Sequence, residues 1–124
     1  MNLNQITVGV TNLEKSIEFY SRLGLKLIVH SANHYARFEC PTGDSTFSLH
    51  VCEVIQENQT VVYFELDNLD EKVSELQSKY DFIFDELPSD KTWLWRECIL
   101  YDPDKNKIKL YTAGDNRKNP PWRI

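Results

Sequence analysis

Val8-Gly9-Val10-Thr11-Asn12-Leu13-Glu14-Lys15-Ser16-Ile17-Glu18-Phe19-Tyr20 decides the fold, because its pattern returns 56 positions later in Phe64-Glu65-Leu66-Asp67-Asn68-Leu69-Asp70-Glu71-Lys72-Val73-Ser74-Glu75-Leu76. Each stretch reads as a strand that ends, an Asn-Leu step, and a helix. Leu13 aligns with Leu69, Ile17 with Val73 and Tyr20 with Leu76. One such match is cheap, but an ordered set at a single offset points to two copies of one unit. The copies span about residues 1–55 and 60–115 of a single domain, 1–124.

Working outward, Ile6, Val8 and Val10 alternate with Gln5, Thr7 and Gly9, the period of a half-buried strand. Thr11 with Glu14, and Asn68 with Glu71, have capping-box spacing. Leu13, Ile17 and Tyr20 form one apolar helix stripe that ends near Gly24; Leu69, Val73, Leu76 and Tyr80 form the second. Three short strands follow each helix. In the first module they are Lys26–His30, His34–Cys40 and Ser45–Cys52; in the second they are Asp81–Asp85, Trp93–Tyr101 and Lys107–Tyr111. Pro41-Thr42-Gly43-Asp44 and Asp102-Pro103-Asp104-Lys105-Asn106 are turn signals. The fold class is therefore α+β: two βαβββ modules, with a helix on one face of each sheet and a curved mixed sheet forming a cleft. The tail, residues 112–124, has no periodicity and reads as irregular or extended. Trp122 within it is expected to dock.

Composition narrows the function classes. The chain has 124 residues, 41% of them hydrophobic and 27% charged, which suits a globular domain. A net charge of −5 without a basic stripe argues against a nucleic-acid partner. No apolar run has the ~18 residues a membrane span needs, and no leader pattern opens the chain, so a cytoplasmic location is expected. Cys40, Cys52 and Cys98 are odd in number and lack CxxC spacing, so they read as reduced thiols. No Gly-rich phosphate loop, HExxH or GxSxG occurs.

The doubled βαβββ module resembles the vicinal oxygen chelate superfamily, which includes glyoxalase I, ring-cleaving dioxygenases and the metal-free bleomycin-binding proteins. Residues 10–20 are similar to the opening signature V-x-D-L-x-x-S-x-x-F-Y, and residues 102–106 to the D-P-D-G-N hairpin. Trp93-Leu94-Trp95-Arg96-Glu97 and the Pro-Pro-Trp-Arg tail resemble a glyoxalase-like subgroup. The resemblance implies metal-ligand positions on the first and fourth strand of each module. They fall on Gln5 and Ser48, then on Val61 and Lys109. Only Gln5 suits a hard divalent ion; Val61 has no donor atom, and the Lys109 ammonium would repel the metal. No cofactor is expected. A divalent metal improvised from Gln5 and His50, with Glu53 or Glu97, is the alternative.

Lys109 and Tyr111 alternate with Ile108 and Leu110, which places the first pair toward the cleft. On the neighbouring strand two parities are open: Trp93, Trp95, Glu97 and Ile99 inward, or Leu94, Arg96, Cys98 and Leu100 inward. Resemblance to the ring-cleaving relatives favours Arg96 and Cys98. The candidate ligand-binding residues are thus Gln5, Thr7, Ser48, His50, Arg96, Cys98, Lys109 and Tyr111, with no catalytic residue assigned. The expected function is small-molecule binding in a metal-free cleft by a homodimer. The alternative is an enzyme of the lactoylglutathione-lyase type, or another superfamily enzyme, with a degenerate metal site.

Overall fold

Alternation along Ile6, Val8 and Val10 produces β1 (Gln5–Val10), the first element of a computed structural model that describes residues 1–124. It is followed by α1 (Leu13–Leu23), β2 (Lys26–Ser31), β3 (Tyr35–Glu39) and β4 (Thr46–Val51). The pattern then repeats as β5 (Val61–Glu65), α2 (Leu69–Tyr80), β6 (Glu86–Asp90), β7 (Arg96–Tyr101) and β8 (Lys107–Thr112). The sheets are ordered β1-β4-β3-β2 and β5-β8-β7-β6. The first strand of each pairs parallel to the last and the other neighbours pair antiparallel, so βαβββ occurs twice in an α+β fold.

The first compact unit comprises Met1–Gln59 together with Asp102–Lys105. Its core gathers Leu13, Tyr20 and Leu23 from α1 with Val8, Val10, Phe38, Phe47 and Leu49 from the sheet. The Tyr20 ring lies 4.6 Å from that of Phe47 and 6.1 Å from that of Phe38. Its hydroxyl, fully buried, donates to Asp102 Oδ2 at 2.8 Å. Burial first, and then the Asp102 charge, hold the proton on this phenol. The cap of α1 differs from expectation. Asn12, in extended backbone, accepts from the Lys15 N–H at 3.1 Å, whereas Thr11 gives its N–H and hydroxyl to the Asp104 carboxylate at 2.9 and 2.5 Å. At the other end Gly24, at φ 122°, turns the chain out of the helix as expected.

The second unit comprises Thr60–Tyr101 and Asn106–Ile124. Leu69, Val73 and Leu76 of α2 are buried, as are Val62, Cys98, Leu100, Ile108 and Leu110 of the sheet. Asn68 makes no side-chain cap bond, so the second expected capping box is also absent; Asp70 and Glu71 instead place negative charge on the helix N-terminus. The strand expected at 81–85 lies further on. Asp81 adopts a left-handed conformation (φ 57°), its N–H bonds to Gln77 O, and the Phe82 N–H reaches back to Leu76 O, a Schellman-type closure. The strand is therefore Glu86–Asp90. It is a sheet edge that tolerates Pro88 and a register shift between Glu86 and Ser89. The expected strand from Trp93 starts only at Arg96. A turn precedes it, closed by Leu94 N–H to Lys91 O and Lys91 N–H to Trp95 O. In the tail a 3-10 turn, Gly114–Arg117, is held by Glu65, which accepts from the N–H groups of Ala113 and Gly114 and from Arg117 Nε. Trp122 is 57% exposed, so it is not buried on its own module. No helix is long and apolar enough to cross a membrane.

Candidate functional site

Each sheet packs one face against its helix and has no helix on the other. In the first unit the register sets Gln5 beside Thr46, Thr7 beside Ser48 and Gly9 beside His50; across the next ladder Tyr35 faces His50 and Arg37 faces Ser48. Partners in register share a face, so Gln5, Thr7, Ser48 and His50 are brought together, and Tyr35 and Arg37 join them. The Thr7 and Ser48 hydroxyls are 2.6 Å apart. Gln5 donates to Ser48 Oγ at 3.4 Å and accepts from Thr46 Oγ1 at 2.7 Å. Ser48 is fully buried beneath this polar layer. Arg37 Nε donates to the Tyr35 hydroxyl at 2.8 Å. Ser48 foremost, with Arg37 and Gln5 adding to it against the effect of burial, lowers the Tyr35 pKa below the ordinary tyrosine value.

In the second unit Glu97 lies beside Tyr111, Ile99 beside Lys109, and Tyr63 beside Lys109. Glu97 is only 1% exposed and accepts from Lys109 Nζ at 2.6 Å and from Trp93 Nε1 at 3.3 Å. The Lys109 ammonium sits 5.5 Å from the Tyr63 ring centre and 5.9 Å from that of Trp93. Burial works against its charge, but the Glu97 hydrogen bond and charge outweigh burial and raise its pKa. Trp95 stacks on Tyr111 at 4.8 Å and 26°, and Tyr63 meets both edge-on. This helix-free face thus presents an aromatic surface around a neutralised ion pair.

Arg96 and Cys98 are not part of it. Cys98 lies beside Leu110 in the helix-side core, where burial pushes its thiol up to about 11. Arg96 forks onto Asp70 of α2 at 2.9 and 2.7 Å and reaches Asp90 at 3.1 Å. It lines a separate groove of ~610 Å³, with Asp67, Asp70, Asp90, Leu94 and Gly114. The parity with Trp95 and Glu97 beside Lys109 and Tyr111 is the one that forms, so the expected inward placing of Arg96 and Cys98 beside Lys109 does not. Sequence reasoning left Glu97, Tyr63, Tyr35 and Arg37 outside the candidate set. For Glu97 a signal existed: pairing Tyr101 with Lys107 across the Asp102–Asn106 turn fixes its parity.

The metal positions implied by resemblance can be tested on their donors. In the first unit the Gln5 carboxamide is bonded at both ends and the Ser48 hydroxyl is engaged by Thr7 and Gln5. In the second unit Val61 offers no donor and Lys109 holds the carboxylate of Glu97. Nowhere do three or more His, Cys, Asp or Glu side chains group so as to hold a metal ion. The residues do not fit a divalent metal of the usual superfamily form.

The chain belongs to the glyoxalase/bleomycin resistance protein/dioxygenase superfamily, whose family model matches residues 2–110. It is similar, at 28% identity over 98% of its length and 81% of the relative's, to the trivalent organoarsenical cleaving enzyme of Bacillus sp. (strain MD1). Among solved structures, lactoylglutathione lyase from Agrobacterium tumefaciens superposes with a TM-score of 0.76 at 13% identity, covering 90% of this chain and 93% of that one. A bleomycin-binding protein complexed with bleomycin superposes with a TM-score of 0.72 at 16% identity, covering 90% and 98%. At these identities the two structures establish the shared fold.

Proposed function

We propose that the protein binds a small molecule on the helix-free sheet faces without a divalent metal. Gln5, Thr7, Ser48 and His50 supply polar contacts in the first unit; Lys109 and Tyr111, with Trp95 and Tyr63, supply an aromatic surface in the second. The observation that carries the reading is the 2.6 Å pair between Lys109 and buried Glu97, at the position the superfamily gives to a metal ligand. An ammonium already satisfied by a carboxylate leaves that position no affinity for a cation. The bleomycin complex of a protein with this fold is a precedent for small-molecule binding. Elemental analysis of purified protein should find no stoichiometric divalent ion, and chelation should leave its melting temperature unchanged. A thermal-shift screen should find small organic ligands that raise that temperature by mass action. About one tightly held metal per chain, lost in Gln5→Ala, would overturn the metal-free reading.

The protein works as a homodimer in the cytoplasm. The free thiols of Cys40, Cys52 and Cys98 suit a reducing compartment. β1 and β5 are edge strands, and such edges call for cover, which a second chain can supply.

One second reading has a specific observation behind it: the 28% identity to the organoarsenical cleaving enzyme runs along almost the whole chain. On this reading the protein would cleave a trivalent organoarsenical. Incubation of the purified protein with one, followed by separation of the arsenic species, decides it: cleavage above a heat-denatured control supports an enzyme, and its absence leaves binding.

A further inference from the structure

Arg37 stands at the centre of the first unit's helix-free face, beside Ser48 on one strand and Val29 on the other. Its surroundings differ from those of the other arginines in the folded elements. Arg22 pairs with Glu18, Arg96 with Asp70 and Asp90, and Arg117 with Glu65. Arg37 is half-buried, and its one side-chain hydrogen bond runs from Nε to the Tyr35 hydroxyl, whose ring it also overlies at 5.5 Å. The acid nearest along its own strand face, Glu39, is engaged by Lys26 at 3.0 Å. The side chains around it, Gln5, Thr7, Ser48 and Tyr35, are neutral hydrogen-bonding groups.

A guanidinium keeps its charge at any physiological pH and carries five N–H donors in a fixed fork. Half-burying it without a carboxylate has a desolvation cost that an incoming anion would relieve. The bond from Nε to Tyr35 fixes the fork's orientation and leaves the terminal nitrogens for a ligand. Tyr35 accepts from Arg37, and its own O–H, a rotor shared with Ser48, can turn to donate to the same ligand. We infer that Arg37, with the Tyr35 hydroxyl beside it, is a subsite for an oxyanion on the ligand, a carboxylate or a phosphoryl group. The inference rests on the small-molecule-binding reading and names the chemical class that the first unit's face selects. Charge-assisted, planar recognition of this kind is what arginine does best. It also gives an acidic chain of net charge −5 a local point of attraction for an anion.

The test is a titration of the wild-type protein at constant ionic strength with inorganic phosphate and, separately, with benzoate, chloride making up the balance. The Arg37 Nε–Hε signal is followed by NMR. That signal should shift saturably with phosphate, with benzoate or with both, and not with chloride. Phosphate alone would identify a phosphoryl site, and benzoate alone a carboxylate site. Arg37→Gln, shown to be folded by its amide spectrum, should bind the effective anion at least about tenfold more weakly. Tyr35→Phe should weaken it by a smaller factor. Benzyl alcohol, the neutral counterpart of benzoate, reads the binding faces independently of charge through tryptophan fluorescence. If neither anion moves the Arg37 signal, or a folded Arg37→Gln binds as wild type does, the oxyanion subsite is overturned. In that case binding of benzyl alcohol leaves the small-molecule reading standing, and its failure removes both.

Discussion

Replacing Lys109 by methionine should destabilise the protein by about 3 kcal/mol, because it strands a buried carboxylate. At 2.6 Å, and an effective dielectric of about 20, the attraction between Lys109 and Glu97 is roughly 6 kcal/mol gross. Desolvation of the two groups offsets most of that, so the intact pair contributes little net stability. Removing one partner is different. Glu97 stays 1% exposed and keeps only the Trp93 Nε1 bond at 3.3 Å. The general cost of breaking a buried pair is roughly 3–5 kcal/mol. The lower end applies here, because the Lys109 side chain is 15% exposed and its place can admit some water. For a chain of this length about 3 kcal/mol corresponds to a fall in melting temperature of roughly 10–15 °C. Urea unfolding of wild type, Lys109→Met, Glu97→Leu and the double variant closes the cycle. The double variant, apolar at both positions, should return to within about 1 kcal/mol of wild type. A Lys109→Met protein within about 0.5 kcal/mol of wild type would refute the reasoning, since it would mean that Glu97 is not desolvated.

Tyr20→Phe removes the buried donor to Asp102 and should cost about 2 kcal/mol in urea unfolding; an unchanged midpoint would show that this bond is not a structural one. Wild-type stability should hold up to the ordinary lysine range and decline as pH rises further, because the folded-state pKa of Lys109 is raised and the pair is lost only on passing through it. Thiol titration of the denatured, unreduced protein should count three, and in native protein at pH 8 Cys98, its thiol pushed up to about 11 by burial, should alkylate far more slowly than Cys52. Sedimentation equilibrium should give about twice 14.6 kDa, and a single-chain mass at micromolar concentration would contradict the dimer.

Periodic signals were legible, whereas the facing of the segment Trp93–Leu100 was not legible from its own pattern. The stripe Leu13, Ile17, Tyr20 and its echo Leu69, Val73, Leu76 specify both helices, because helix burial repeats at a spacing no strand shares. Gly24 marks a helix end because only a residue free of Cβ strain sits easily at φ 122°. The second helix ends on Asp81, whose left-handed conformation carries no such compositional signature, and Pro88 hides the edge strand that follows. Between Trp93 and Leu100 nearly every residue is large or apolar, so hydrophobicity alone cannot choose a face. The choice is made by the partner strand, through Ile99 beside Lys109, a register that the Asp102–Asn106 hairpin carries and that alternation within the strand alone does not. The polar layer of Gln5, Thr7 and Ser48 was readable from strand alternation, whereas Arg37 joins it only through the β3–β4 ladder.

The repeat in the sequence invites cutting the gene in two after Gln59, yet the unit that folds around α1 includes Asp102–Lys105. A half-length polypeptide of residues 1–59 would bury the Tyr20 hydroxyl with its acceptor left on the discarded piece, and Thr11 would lose both bonds to Asp104. Split-protein reporters and half-domain swaps built at the apparent midpoint would therefore inherit an orphaned phenol. A workable dissection has to carry the turn Asp102–Lys105 along with the amino-terminal part.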